Sequence, residues 1–448
     1  MRTKRSLWAT RLGFYLVAIG SACGLGNVWR FPYVVGENGG GAFVLLYLVL
    51  ALSVGLPLLV GELLLGKFTQ RSLMGAAPQI KGANVRLLQF IAPISVILSL
   101  IILSYYAVIS GWVLHFAMQF LSGFVRANVE QNDFLAALMA NGLLQAGLAS
   151  VHLLIVFIVV VKGVQEGVEK WIGNMMPLFI ILLVYLVARS LALPTAGQAL
   201  RFIFYPDFSK LNSSSLISAL GHVFFTLSVG FGTMVTFGSY MNDNDHVPTA
   251  GFRVAFTDTM ISLLAGLLVF PMALQVSQAR LTDPTLIFEA LPAFFMMSKA
   301  GPYLGLVFFL CLYLASLGAS IGLLEAVVSN MGDRFPRLGR RKSTMISCVF
   351  AFLIATIPAF SSSNLSQIQM GGRGLLENID TVLITWALPL VALCVSFVIS
   401  AIIPEAPKEQ EFCNPEHLNS SSLYGPWRWS LKYFVPVVIV LGFVFRFF

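Results

Sequence analysis

Gly20-Ser21-Ala22-Cys23-Gly24-Leu25-Gly26-Asn27-Val28-Trp29-Arg30-Phe31-Pro32 is the stretch whose reading decides how this chain is built. It lies inside an apolar run from Leu12 to Val35 that is long enough to cross a bilayer, at ~20 residues per span. Yet it carries three glycines, an asparagine and an arginine, poor material for a continuous lipid-facing helix. Backbone freed from helical hydrogen bonding at membrane depth is tolerated only where it faces protein or a water-filled cavity. A broken helix there offers bare amides to an anion and bare carbonyls to a cation. That chemistry suits a site that takes a carboxylate and a small ion together.

The composition places the run in a membrane protein. Hydrophobic residues make up 57% of 448 positions and charged residues 11%, and mean hydropathy is +0.84. A soluble fold of this length has no core large enough for so much apolar sequence. The apolar runs are long and unbroken rather than short and alternating, which predicts helices and not a barrel. The first run lacks a small-residue cleavage site and leads directly into a second span, so it reads as a span and not as a removable leader. Cys23, Cys311, Cys348, Cys394 and Cys413 are scattered without metal spacing or an evident disulfide pattern, and read as packing residues.

The net charge of +8 follows the positive-inside rule and does not imply nucleic-acid binding. Arg2, Lys4, Arg5 and Arg11 precede span 1. Lys67, Arg71, Lys81 and Arg86 sit between spans 2 and 3, and Arg334, Arg337, Arg340, Arg341 and Lys342 follow span 8. With alternating spans all three clusters share one side, which predicts a cytoplasmic N-terminus. Spans are expected at about 12–35, 41–66, 88–122, 141–161, 171–190, 216–240, 253–278, 302–331, 344–360, 379–403 and 431–448. An odd count of eleven puts the C-terminus outside. Leu281 to Ser298, with Pro284 and Pro292, reads as an ordered external loop with a short helix. Span 6 repeats the signature of span 1, mixing glycine and hydroxyls into Gly221-His222-Val223-Phe224-Phe225-Thr226-Leu227-Ser228-Val229-Gly230-Phe231-Gly232. Two interrupted helices five spans apart suggest a single transporter domain over 1–448. Its inverted repeats would cover about 11–190 and 216–403, with an additional helix at about 431–448.

At these residues the chain resembles the neurotransmitter:sodium symporters, specifically their bacterial amino-acid transporter branch. The resemblance covers nearly the whole chain. It runs through Trp8-Ala9-Thr10-Arg11, Gly24-Leu25-Gly26-Asn27, Arg30-Phe31-Pro32, Glu37-Asn38-Gly39-Gly40-Gly41-Ala42-Phe43, Tyr105-Tyr106, Phe224-Phe225-Thr226-Leu227-Ser228 and Asp380. It implies an all-α polytopic LeuT fold with helices 1 and 6 broken at the midplane, and sodium-coupled symport of a neutral, hydrophobic α-amino acid by alternating access. Rival readings are a proton-coupled or sodium-independent transporter of the same fold, and a non-transporting sensor. An intramembrane enzyme finds no support, since neither HExxH nor GxSxG occurs.

The resemblance also implies a site. The amides around Ala22, Gly24, Leu25 and Gly26 would receive the substrate carboxylate, with the hydroxyl of Tyr106 beside them. Gly24 leaves room for that carboxylate where amine carriers of the family have aspartate. Ile102, Phe225, Ser228, Phe231, Ala319 and Leu323 would line the rest of the pocket with Thr226. Ala22, Asn27, Thr226 and Thr257 would hold one sodium ion. Thr257 comes from an ungapped match anchored on Pro271, and a slip of one residue would bring Asp258 instead. A second sodium site would be built from Gly20, Cys23, Ala315, Gly318 and Ala319, but Gly318 and Ala319 stand where relatives have hydroxyl residues. That site is therefore expected to be weak or absent, and Gly318→Thr with Ala319→Ser to restore it. Arg30 with Asp380, and Arg5 with Asp333 near Trp8, match outer and inner gates. Glu62 is implied to satisfy amides of the broken first helix. His222 is read either as a passive hydrogen-bonding group or as a pH-sensitive one, and His115 and His152 as structural. The partners implied are an amino acid and the lipid bilayer of the inner (plasma) membrane, with no nucleic acid. The chain is expected to be a monomer or weak homodimer.

Overall fold

The computed structural model describes residues 6–80, 85–123, 134–276, 281–297, 299–369, 374–413 and 421–446. Nine unbroken helices in these segments are long and apolar enough to cross a membrane. They are α2 (Gly41–Thr69), α3 (Val85–Ser122), α4 (Gly142–Val160), α5 (Val164–Leu191), α7 (Val247–Ala273), α8 (Gly301–Arg334), α9 (Pro336–Phe360), α10 (Leu375–Ala401) and α11 (Ser422–Arg446). The remaining two spans are interrupted. α1 is Arg11–Ala22 followed by Gly26–Glu37, bent by 43° at the break. α6 is Ser215–Thr226 followed by Thr233–Gly238. Among the described residues the bent α1 brings the spans to ten, and α6, whose halves are each too short to cross alone, stands at the position of the remaining one of the eleven expected.

Helix ends differ most where hydropathy was the only guide. α7 starts at Val247 rather than near 253, because His246 caps it, accepting from Thr249 N, and Pro248 occupies the first turn. α5 and α11 begin several residues earlier than predicted, with turns whose polar residues hide them from a hydropathy reading. Thr10 opens α1, its hydroxyl accepting from Gly13 N at 2.9 Å. Glu169 of α5 ties that end down by accepting from Ala9 N at 2.8 Å and from the backbone and hydroxyl of Thr10 at 3.1 Å each.

The two breaks have different causes. α1 stops after Ala22 because Gly24 N turns back to Ala22 O, at 3.0 Å, and to Asn27 Oδ1, at 3.1 Å. α6 stops because Ser228, Gly230 and Gly232 have φ of 53°, 90° and 72°, the left-handed region that glycine enters without a Cβ penalty. The amide freed at Gly230 donates to Glu62 Oε1 of α2 at 2.7 Å. α3, α4, α8 and α9 pack on one another, while α1 lies against α5, α7 and α8, and the second half of α6 packs on α2. The expected external helix is Leu286–Met296, and Trp29 Nε1 donates to Pro284 O just before it at 2.7 Å. The cysteines are free thiols.

Candidate functional site

The breaks of α1 and α6 face each other across a narrow cavity of about 20 Å³. Ten of the twelve residues predicted to touch a substrate line it: Ala22, Gly24, Gly26, Ile102, Tyr106, Phe225, Ser228, Phe231, Ala319 and Leu323. The eleventh lining residue, Ser21, was not among the predicted ones. Leu25 and Thr226 stand behind the wall. Leu25 donates its amide to Tyr106 Oη at 2.5 Å, which leaves the phenol proton to be given elsewhere. The approach is tight: a Cβ at Gly24 would lie 2.3 Å from Tyr106 Oη and 2.7 Å from the Ala319 methyl. An acidic side chain at position 24 has no room in this arrangement. The second half of α1 starts at Gly26, and the amides that follow, of Asn27 and Val28, donate to Gly24 O at 3.2 and 3.5 Å.

Next to the cavity is a polar cluster in the protein interior. Asn27 is fully buried; its side-chain oxygen accepts from Gly24 N, and its Nδ2 donates to Asp258 Oδ1 at 2.7 Å, Asp258 O at 3.1 Å and Ser262 Oγ at 2.9 Å. Tyr47 Oη reaches Ser262 Oγ at 3.4 Å, and Cys23 Sγ approaches Asp258 Oδ1 at 3.9 Å. Thr226 donates to His222 O at 3.2 Å, and its hydroxyl also neighbours the Asp258 carboxyl. Asp258 Oδ2 is buried and has no hydrogen-bond partner among the described residues. Such an oxygen is costly unless a cation or proton meets it. The residue that α7 presents to Asn27 is therefore Asp258, and Thr257, the ungapped choice, is half-buried on another face. The cause is a one-residue slip, which turns a helical side chain by ~100°. Ser262 was missed altogether, although its i+4 spacing from Asp258 puts both on one face.

At the expected second ion site helix packs directly on helix. A Cβ at Gly318 of α8 would lie 2.5 Å from the Gly20 carbonyl oxygen of α1. Ala319 faces the substrate cavity, and Cys23 and Ala315 are buried without side-chain oxygens. The flanking hydroxyls are engaged elsewhere: Ser316 Oγ donates to Tyr313 O at 2.9 Å, and Ser320 Oγ pairs with His152 Nε2 at 2.8 Å. His152, read as structural, thus has Ser320 as its partner.

The charged pairs fall at opposite ends of the bundle. Arg30 and Asp380 meet at 3.5 Å, and Tyr105 Oη reaches Asp380 at 3.4 Å. Asp333 pairs with Arg71 at 3.1 Å and accepts from Ser72 N and Oγ at 2.8 and 2.6 Å. Arg5 lies outside the described residues. Trp8 donates its indole N–H to Phe237 O at 3.1 Å, closing the lower end of α6 over the start of the chain. Glu62 reaches the break of α6 rather than that of α1. The cause is packing, since α2 lies along the second half of α6. His222 is buried between the rings of Phe31 and Tyr47, at 5.5 and 5.3 Å, and neither ring nitrogen has a partner among the described residues.

The family model described as sodium:neurotransmitter symporter family matches residues 5–127 and 124–448. A Bacillus subtilis protein described as an uncharacterized sodium-dependent transporter is 31% identical over 440 residues, covering 98% of this chain and 96% of that protein. A Methanocaldococcus jannaschii protein with a similar description is 30% identical over 457 residues, covering 97% and 89%. Among solved structures, the crystal structure of MhsT in complex with L-phenylalanine is 30% identical, with a TM-score of 0.90 over 99% of this chain and all of that one. Similarity extends to the Drosophila melanogaster sodium-dependent serotonin transporter, at 28% over 78% of this chain and 63% of that protein.

Proposed function

The chain belongs to the sodium:neurotransmitter symporter family, and from that premise we propose that it carries a neutral α-amino acid together with one sodium ion by alternating access. One observation carries this reading: the buried cluster of Asn27, Asp258, Ser262 and Thr226 abuts the cavity at the break of α1. Asp258 Oδ2 and the oxygens of Thr226 and Asn27 are hard donors of the kind small hard cations prefer. Sodium offsets the cost of an ionised Asp258 held away from water. The substrate carboxylate then meets the positive N-terminal end of the second half of α1 at Gly26 and the Tyr106 proton, within reach of the ion's field. Ion and carboxylate each raise the other's affinity, and that coupling is reciprocal by necessity. No charged side chain lines the cavity, which supports an uncharged substrate side chain.

The second ion is not part of this proposal. Gly318 brings α8 onto the Gly20 carbonyl, so a cation there would have to separate two packed helices. Orientation follows the basic clusters, with the chain's start in the cytoplasm and its end outside the inner membrane. Arg30–Asp380 then serves as an outer gate and the Asp333 end as an inner one, in a monomer or weak homodimer.

The test is equilibrium binding to the purified protein, using a panel of amino acids and their decarboxylated amines with and without sodium. Sodium-dependent binding of amino acids but not amines is expected. Binding of an amine as tight as its parent, or no response to sodium, overturns the proposal.

A further inference from the structure

Ser21 is the lining residue that neither composition nor resemblance singled out, and its side chain is unusual for this cavity. It is 97% buried by exposure of 3%, and its Oγ has no hydrogen-bond partner among the described residues. Gly322 of α8 makes room for it, since a Cβ at that position would lie 2.0 Å from Ser21 Oγ. The hydroxyl therefore lies against Gly322, next in the chain to Leu323, and Ser21 lines the cavity with Ala319 and Leu323. Ser228 leans towards the same spot, its Oγ donating to Ser21 O at 3.4 Å. Around these two hydroxyls the wall is apolar. Ile102 closes one side, and Phe225 and Phe231 meet edge to face at 6.3 Å.

Resting on the amino-acid symporter reading, we propose that the cavity selects an α-amino acid with a side-chain hydroxyl, and that Ser21 is the residue that recognises this hydroxyl. A hydrocarbon side chain would leave Ser21 desolvated and unbonded, whereas a hydroxyl at the end of a short side chain restores the missing hydrogen bond. Sites built around a polar contact discriminate strongly against analogues that lack it. This narrows the expectation of a hydrophobic substrate, which rested on the aliphatic and aromatic wall without Ser21.

The test is competition against radiolabelled alanine on the purified full-length protein in sodium. The competitors are serine, threonine, 2-aminobutyrate, leucine and phenylalanine. Serine should bind about ten-fold tighter than alanine, and threonine tighter than 2-aminobutyrate by a similar factor. Ser21→Ala should bring serine down to the level of alanine, abolishing the serine-to-alanine ratio. Gly322→Ala, which removes the room for the hydroxyl, should shrink the same ratio. If serine binds no better than alanine, if leucine or phenylalanine binds tighter than both, or if Ser21→Ala leaves the ratio intact, the proposal is wrong. Should Ser21→Ala fail to fold, the wild-type series alone decides. Absence of any sodium-dependent amino-acid binding would instead overturn the symporter reading on which this one rests.

Discussion

Asn27 and Asp258 share a hydrogen bond of 2.7 Å with one carboxylate oxygen of Asp258 left unbonded among the described residues, and that imbalance is why the pair is proposed as the ion site. Asp258→Asn should raise the sodium concentration for half-maximal substrate binding by about ten-fold or more, equivalent to ~1.4 kcal/mol. Thr257→Ala, on another face of α7, should leave it unchanged. Sodium titration of substrate binding in the two variants checks both, and an effect of Thr257 alone would restore the ungapped register. Tyr106 is the matching residue for the substrate. Its oxygen already accepts from Leu25 N, so its proton is the part it can offer. Tyr106→Phe should weaken substrate binding by about 1–3 kcal/mol, the range for a lost hydrogen bond to a charged group. Isothermal binding measurements read this directly, and unchanged affinity would remove Tyr106 from the site.

Elements carry the stoichiometry. α1 and α8 touch through Gly20 and Gly318 so closely that a methyl group at position 318 would lie 2.5 Å from a backbone carbonyl oxygen. A backbone oxygen cannot swing aside as a flexible side chain does, so one helix must move. Gly318→Ala should therefore lower stability by ~1–3 kcal/mol, as overpacking does, read as a fall in the thermal midpoint. The same contact revises the expectation for Gly318→Thr with Ala319→Ser. That pair should first force α8 away from α1 rather than rebuild an ion cage. Sodium dependence in the wild-type protein should show a Hill coefficient near one. A steep dependence would mean that α1 and α8 separate to admit a second ion. The break of α6 is supported from outside in a similar way, because Glu62 of α2 takes the amide that Gly230 leaves free.

In the molecule as a whole, charged pairs stand at opposite ends of the bundle. Arg30 and Asp380 meet at 3.5 Å, the long edge of a hydrogen bond, and both are largely shielded from solvent. In the proposed function this pair is the outer gate. Asp380→Asn should speed dissociation of bound substrate several-fold, with less effect on the sodium dependence than Asp258→Asn has. Washout of prebound labelled substrate measures it, and an unchanged dissociation rate would make the pair a bystander. At the opposite end Asp333, Arg71, Ser72 and the indole of Trp8 hold the bundle together. In the proposed alternating access, α1 and α6 move against α3, α4, α8 and α9, which pack on one another.

By itself the sequence determined the class of the molecule, its eleven spans, the two interrupted helices and ten of the residues around the cavity. Those features are written along the chain, as runs of apolar residues and as glycines and hydroxyls placed where a continuous helix would not want them. Helix ends were less legible, because hydropathy marks depth in a membrane whereas caps such as His246 and Thr10 mark where a helix starts. Only the tertiary structure decided which side chains meet across helices. It placed Asp258 rather than Thr257 against Asn27, sent Glu62 to α6, joined His152 to Ser320 and turned Ser21 into the cavity. The physical reason is the pitch of the α-helix. An error of one residue rotates a side chain by ~100°, so a partner on another helix is set by packing and not by counting along one chain.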